Sequence, residues 1–355
     1  MDYKLAVIVG RFQPVHNSHI EIIRQALEIA DNLLIIIGSV NAAPNIKNPF
    51  TFAERKHLIQ ISLTEDENKR VSFEGVRDYY YNDNVWLTEV QQCIRLHARD
   101  HEPVVLIGHY KDGSSFYLNS FPQYDFLPAR NAKPLDSTAI RQQLFDESNI
   151  LVREGWVDKI KDSISFHFGI MDVPELVGNW LDEVFCGSEK HLTLIKEYKF
   201  IQDYKAKWSV APFAPTFVTT DTIVVQSGHV LVVKRRHEPG KGLLALPGGF
   251  IKVDETIEQA AIRELKEETG IRLNKADLKR AIVESKVFDY PGRSLRGRTI
   301  SHAFYLKLDE KELPHIRAND DAEDAQWISL MNLSSLESNF FEDHFALINY
   351  FISRG

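Results

Sequence analysis

Cysteine is scarce in this 355-residue chain, with Cys93 and Cys186 the whole supply. Two thiols cannot build a disulfide framework or a cysteine-ligated zinc site. Long hydrophobic runs are missing as well: stretches such as Leu33–Ile37 fall far below the roughly 20 residues needed to cross a bilayer. The apolar run near the N-terminus is short and flanked by Asp2, Lys4 and Arg11, which argues against a signal peptide. Basic charge is not in excess, since 42 Lys and Arg face 50 Asp and Glu for a net charge of −8. No general attraction for polyanions follows, so nucleic acid is not an expected partner and any phosphate must be held by a local site. Internal repeats and low-complexity segments are absent. What remains is an ordinary globular composition, 44% hydrophobic and 26% charged, long enough for about two domains. The expectation is a soluble, cytoplasmic protein with no membrane segment, compatible with a homo-oligomer.

Residues Leu5 to Val9 read as a buried strand ended by Gly10, and Ile20, Ile23, Leu27 and Ala30 then recur at helical spacing. A second apolar run, Leu33–Ile37, reaches Gly38. Strand, helix and strand in such short order make a βαβ unit, which favours a parallel sheet. Val104–Ile107 reads as a further strand ending at Gly108, followed by the polar loop 109–115. From Asp172 to about Lys207 the text is helical and polar. Pro212 and Pro215 then punctuate the chain, because proline restricts itself and the residue before it. Beyond them Thr222–Val225 and Val230–Val233 flank Ser227-Gly228, a hairpin signal. The expected layout is a first domain over 1–185, a helical connector over 186–208 and a second domain over 209–355.

Between the first strand and helix stands Gly10-Arg11-Phe12-Gln13-Pro14-Val15-His16-Asn17-Ser18-His19. Ligands of a parallel α/β sheet bind beyond the carboxyl ends of its strands. A helix start there offers unpaired N–H groups and a positive dipole end to an anion. Arg11, His16 and His19 add three donors, and the histidines share a face once the helix has begun. Two histidines three apart also fit plain surface or half of a metal site. Neither a P-loop, GxxxxGK(S/T), nor a GxGxxG fingerprint occurs here.

The stretch resembles the GRFQPxHxGH form of the nucleotidyltransferase signature found in nicotinamide-mononucleotide adenylyltransferases. Ser137-Thr138-Ala139-Ile140-Arg141 matches that family's second motif, and Asn48-Pro49-Phe50-Thr51 through Arg55 and Asn84-Val85-Trp86 resemble its archaeal branch. One departure is Ser18, where the family usually has the glycine that lets phosphates approach the backbone. The resemblance implies a Rossmann-like, doubly wound domain. It also implies attack of the mononucleotide 5′-phosphate on the α-phosphorus of ATP, with magnesium assisting and pyrophosphate leaving. His16, His19, Arg11 and Arg141 would stabilise the developing charge. Gly10, Phe12, Arg55, Gly108, Asp112, Ser137 and Thr138 would complete the ATP and mononucleotide site, with Trp86 stacking on the nicotinamide ring.

A second constellation runs from Gly249 to Ile271. Thr256 and Gln259 form a capping-box pair, and Gly270 stands where a glycine stops a helix. A helix of about 14 residues follows. At 100° per residue, Glu264, Glu267 and Glu268 lie near 340°, 280° and 20° from Ile257, on the face that is apolar one turn earlier. Unpaired buried charges cost several kcal/mol each, so something cationic must neutralise them. Oxygen-only donors point to magnesium or manganese. A solvated acidic helix end is the plainer alternative, but acids at a helix C-terminus oppose the macrodipole. Arg263 stands one residue outside this face, placed to pair with a carboxylate or brace the loop.

These residues match the Nudix signature GX5EX7REUXEEXGU at all nine fixed positions. By that resemblance the second domain has the α+β Nudix fold, and Glu264, Glu267 and Glu268 bind divalent ions with the Gly248 carbonyl. Glu267 and Glu268 then take part directly in hydrolysis of a diphosphate. Pro239-Gly240-Lys241-Gly242 and Arg296-Gly297-Arg298 resemble Nudix domains associated with ADP-ribose. Arg235, among basic residues preceding the box, and Arg298, with Arg293 and Arg296 after it, are candidate substrate grips. Glu323 is the candidate general base.

In this order the two domains resemble the bifunctional nicotinamide-mononucleotide adenylyltransferase/Nudix hydrolases of bacteria over essentially the whole chain. The ligands implied are ATP, nicotinamide mononucleotide, NAD and ADP-ribose, with magnesium or manganese. Two other readings stay open at this point. One is a Nudix hydrolase whose transferase is weakened by Ser18. The other is an ADP-ribose-sensing regulator, which would need a DNA-binding module that the sequence does not display.

Overall fold

The computed structural model describes residues 2–99, 101–108, 120–130, 137–146, 172–318 and 322–353. The chain forms two compact units, Met1–Ile195 and Lys196–Gly355.

In the first unit, strands β1 (Tyr3–Gly10), β2 (Ala30–Ile37), β3 (Val71–Gly75), β4 (Val104–Gly108) and β5 (Asp125–Pro128) form one sheet. Their order is β3-β2-β1-β4-β5, and every pairing is parallel. Leu33 to Ile37 are wholly buried, as a strand covered on both faces requires. Side chains alternate across a strand. Leu5 and Val7 accordingly join Val90 and Ile94 of helix α4 (Asp83–His97) in one cluster. On α1 (Asn17–Ile29), Ile20, Ile23, Ala26 and Leu27 are buried, and α1 packs against β1 and β2. Ala30, expected as the last inward residue of that helix, is instead the first residue of β2. No loop separates the two elements, so helical spacing ran one residue into the strand. Helices α2 (Phe52–Ile61) and α3 (Glu65–Lys69) fill the crossover to β3, each opened by a threonine capping box. The strand order reverses beside β1, which makes its carboxyl end the place for a ligand. Helices α5 (Ser137–Phe145) and α6 (Glu175–Trp180) come next. One π-helical turn, Leu181–Phe185, continues α6, and α7 (Glu189–Ala206) follows.

The second unit holds a mixed sheet ordered β10-β11-β6-β7-β12, with β8 on β7 and β9 on β6. The strands are β6 (Thr216–Gln226), β7 (His229–Arg235), β8 (Leu244–Ala245), β9 (Gly248–Phe250), β10 (Ile282–Phe288), β11 (Arg298–Lys307) and β12 (Ala322–Ser329). The β6–β7 hairpin turns on Ser227 (φ 46°) and Gly228 (φ 74°), the paired positive angles that tight hairpins need. Strand β6 starts six residues before the expected Thr222, because its first half pairs in parallel with β11 from Thr216 onward. That half reads Thr-Phe-Val-Thr-Thr-Asp, so apolar content alone concealed it. Helix α8 (Ile257–Thr269) is capped by Thr256 and stopped by Gly270 at φ 55°, as read from the sequence. Ala261, Ile262 and Leu265 anchor it on Val224, Phe304 and Leu306 of the sheet. Helices α9 (Lys275–Arg280) and α10 (His344–Ile352) complete the unit. Among the described residues no helix is long and apolar enough to cross a membrane.

Candidate active sites

The first site is built where β1 ends. A Cβ on Gly10 would lie 3.0 Å from the Phe12 ring, so glycine there lets Phe12 fold back, buried, at φ 51°. The Phe12 ring then leans on His19, with centroids 4.7 Å apart. His16 and His19 stack at 3.6 Å. The His16 backbone N–H donates to Nδ1 of His19 at 3.3 Å. An N–H donor requires Nδ1 to be unprotonated, which leaves the ring proton on Nε2. Ser18 is buried among the inward residues of α1.

The second motif closes onto this loop. Arg141 donates from Nη1 to the Gln13 carbonyl at 2.7 Å and from Nη2 to Thr138 Oγ1 at 3.1 Å. Ser137 Oγ donates to the Pro14 carbonyl at 3.2 Å. Arg55 is almost wholly buried, and its guanidinium donates to the carbonyls of Arg11, Gly38, Ser39 and Thr51. Burial pulls its pKa down to about 10. Arg55 therefore ties together the loops at the ends of β1 and β2. Lys47 escaped the sequence reading. Burial, and after it the positive field of Arg11, hold its ammonium below the ordinary lysine value, with Arg141 adding to the effect. Arg11, Lys47 and Arg141 thus concentrate positive charge at one strand end, a setting that favours an anion. Its sequence signal was position, in a loop after the carboxyl end of β2. Gly108 ends β4 and accepts a backbone hydrogen bond from Ala129 at 3.0 Å. Trp86 stands on the first turn of α4, partly buried against the core. Asp112 lies outside the described residues.

In the second site Arg263 is the organising cation. It donates to Glu255 (2.8 and 2.5 Å), Glu264 (2.6 Å), Glu267 (2.9 Å) and the Phe250 carbonyl (3.3 Å). It therefore both pairs with carboxylates and braces the loop. Its hydrogen bonds hold the Glu255 carboxyl down to about 2. Glu268 is buried and accepts one N–H, from Gly248 at 3.0 Å. Burial pushes its pKa up to about 8 and raises that of Glu264. The two glycines before the helix are sterically required. A Cβ on Gly248 would meet the Thr220 carbonyl at 2.2 Å, and one on Gly249 would meet Glu264 Oε1 at 2.7 Å.

Among the described residues no three acidic, histidine or cysteine side chains are already gathered as a ligand set. The donors nevertheless fit a hard divalent cation. They are oxygens only, and the two most buried carboxylates are the two whose charge burial disfavours. A cation would supply the compensation that Arg263 gives to Glu255, Glu264 and Glu267 but not to Glu268.

The expected substrate grips each have partners of their own. Arg235 lies 4.0 Å over the Phe341 ring and donates to the Pro239 carbonyl at 2.9 Å. Arg298 donates to the Asp289 carbonyl. Glu323 sits on β12, half-exposed and paired with Lys234 at 3.3 Å. Arg293 is committed to Asp343 by two buried hydrogen bonds of 2.8 and 2.9 Å, so it is a structural cation rather than a phosphate grip. Arg296 lies 5.2 Å over the Phe250 ring. The sequence offered no sign of Asp221, which is buried, accepts from Ser301 and packs where a Gly248 side chain would go. It gave none of the run Phe341–His344 either. Phe341 fills the space beside Gly240, Glu342 accepts from the Leu295 N–H at 3.1 Å, and His344 Nδ1 accepts from the Leu246 N–H at 2.9 Å.

Comparison with known proteins places both halves. Residues 7–143 match the cytidylyltransferase-like family model and residues 216–351 match the NUDIX domain model. The chain is 34% identical over 145 residues to a nicotinamide/nicotinic acid mononucleotide adenylyltransferase of Acinetobacter baylyi, covering 41% of this chain and 77% of that protein. It is 40% identical over 119 residues to an ADP-ribose pyrophosphatase of Methanocaldococcus jannaschii, covering 34% of this chain and 65% of that one. A crystal structure of a bifunctional NMN adenylyltransferase/ADP ribose pyrophosphatase from Francisella tularensis, complexed with AMP and a Mn ion, matches with a TM-score of 0.86. The identity is 36%, and 99% of each chain is covered. With both domains present in one order over one full length, the chain belongs to the family of bifunctional NMN adenylyltransferase/ADP-ribose pyrophosphatases.

Proposed function

We propose that this chain makes NAD and pyrophosphate from ATP and nicotinamide mononucleotide at its first site. At its second site it hydrolyses ADP-ribose to AMP and ribose 5-phosphate. We assign the transferase to residues 1–185, the connector to 186–208 and the hydrolase to 209–355, in a cytoplasmic protein. The observation that carries the reading is the full-length likeness to the Francisella protein at 36% identity, combined with the two motif histidines and the second motif at the first site and all nine fixed positions of the box at the second.

In adenylyl transfer the protein positions two phosphates and stabilises charge, with little covalent chemistry of its own. His19 presents its Nε2 proton to the phosphate oxygens because its Nδ1 is engaged by the His16 N–H. His16 is held against it by stacking. Arg11 and Arg141 flank the transferred group, and Lys47 adds charge. Gly10 and Phe12 shape the loop, Arg55 holds it, and Ser137 and Thr138 dock the second motif on it. Trp86 stacks on the nicotinamide, and Gly108 and Asp112 are assigned to ATP.

At the second site Glu264, Glu267, Glu268 and the Gly248 carbonyl would hold Mg2+ or Mn2+. Such an ion, when bound, makes water a usable nucleophile near neutral pH and offsets charge on the diphosphate. Arg263 keeps Glu264 and Glu267 aligned, while Gly249 lets the backbone approach Glu264 and Gly248 fits against Thr220 and Asp221. Arg235 and Arg298 grip the substrate, and Glu323 is assigned as the base. The test is product analysis of two separate incubations with magnesium, one with mononucleotide and ATP and one with ADP-ribose. NAD in the first and AMP in the second are expected. Failure of either removes that half of the proposal.

A further inference from the structure

Four consecutive residues before and at the start of α10 reach separate parts of the second unit, and two of them converge on Gly248. Asp343 grips Arg293, whose Nη2 approaches Asp221 Oδ2 at 3.9 Å, and Asp221 packs against Gly248. His344 is buried and accepts the Leu246 N–H on Nδ1 at 2.9 Å. Two residues later, Gly248 donates its own N–H to Glu268 Oε2 at 3.0 Å. Between them Pro247 has a fixed φ and no N–H, and its carbonyl is taken by the Thr222 N–H and hydroxyl at 2.8 and 3.0 Å. Each of the three residues Leu246–Gly248 thus has a polar group tied down, and Gly248 has no room for even a Cβ. The His344 ring holds the first of these three residues.

We propose that His344 is a positioning residue for the divalent-cation site, fixing the Leu246–Gly248 loop so that Gly248 and Glu268 stay in register. The inference rests on the proposed hydrolase reading, in which Gly248 and Glu268 are ligands. It also explains the protonation state: only a bare Nδ1 can accept an N–H, and burial holds the His344 pKa down to about 3. Supporting groups around metal ligands typically change affinity 10–100-fold when lost.

Two substitutions separate positioning from bulk. In His344→Asn, Oδ1 stands as many bonds from Cα as Nδ1 does and can accept the same N–H. In His344→Gln, the oxygen stands one bond further out, near the place of Nε2. Both would be made in the full chain, and each read by amide exchange of Gly248 without metal and by Mn2+ titration. The Gln variant should lose about tenfold or more in Gly248 protection and in Mn2+ affinity, while the Asn variant stays within about threefold of the parent. His344→Leu, if it folds, should behave as Gln does. Equal Gly248 protection and equal Mn2+ affinity in the Asn and Gln variants would overturn the proposal while leaving ADP-ribose hydrolysis untouched as a reading. A parent protein that binds no Mn2+ would instead overturn the cation site on which both rest.

Discussion

Gly249 and Glu264 are fitted to each other: a Cβ on the glycine would fall 2.7 Å from Oε1 of the glutamate and 2.8 Å from its Cδ. A carboxylate bound to Arg263 at 2.6 Å cannot retreat without giving up that contact. Gly249→Ala should therefore displace Glu264 and weaken divalent-cation binding by about 10–100-fold, with ADP-ribose hydrolysis falling in step. NAD formation should not change. Mn2+ titration and the two product assays check this, and unchanged Mn2+ affinity would count against it.

The two sites should fail independently. His19→Ala removes a ring that contacts both His16 and Phe12 and should abolish NAD formation alone. Glu267→Gln removes a carboxylate paired with Arg263 and should abolish ADP-ribose hydrolysis alone. Loss of both activities in either variant would contradict separate sites.

Proton linkage should be visible at Glu268. Burial raises its pKa from an ordinary 4.5 to about 8 in the metal-free fold. A raised acid contributes stability in its protonated form, fully below the unfolded value, and loses it as pH climbs through the folded one. The stability advantage of the protonated side chain should thus decay between about pH 5 and 8, and a Glu268→Gln variant should lack that decay. A cation must displace the proton over the same window. Apparent Mn2+ affinity should rise by up to about tenfold per pH unit and flatten above about 8. Calorimetry in buffers of different ionisation enthalpy measures the released proton directly.

Arg55 offers a stability test in the other unit. Its planar group satisfies four carbonyls from three segments of chain, which a lysine cannot reproduce. Arg55→Lys should cost about 3 kcal/mol in urea unfolding. It should also lower NAD formation, since the Arg11 loop is one of the segments released. A variant as stable as the parent would refute this structural role.

The parts legible in the sequence were those with local causes. The capping box at Thr256, the stop at Gly270 and the inward glutamates of α8 all follow from neighbours within one or two helical turns. The βαβ start was legible because both strands are continuous apolar runs. Groups whose partners arrive from far along the chain were hidden. Arg55 reads as a substrate-site residue from its motif, and its role of holding four carbonyls shows only in the fold; Lys47 reads as a loop lysine. His344 and Asp343 gave no pattern at all, because their meaning lies in Leu246 and Arg293, 98 and 50 residues away in sequence. The first half of β6 was missed because pairing with β11, rather than apolarity, makes it a strand.

The bond from Arg141 to the Gln13 carbonyl joins residues 128 apart in sequence. During synthesis at roughly 5–20 residues per second, the Gly10–His19 loop leaves the ribosome about ten seconds before its closing arginine is made. By the end of that interval the nascent chain has its first three parallel strands yet lacks the arginine that closes the loop. A ribosome-stalled fragment ending before Ser137 should therefore be structured but unable to retain ATP, and nucleotide capture should begin abruptly once α5 has emerged.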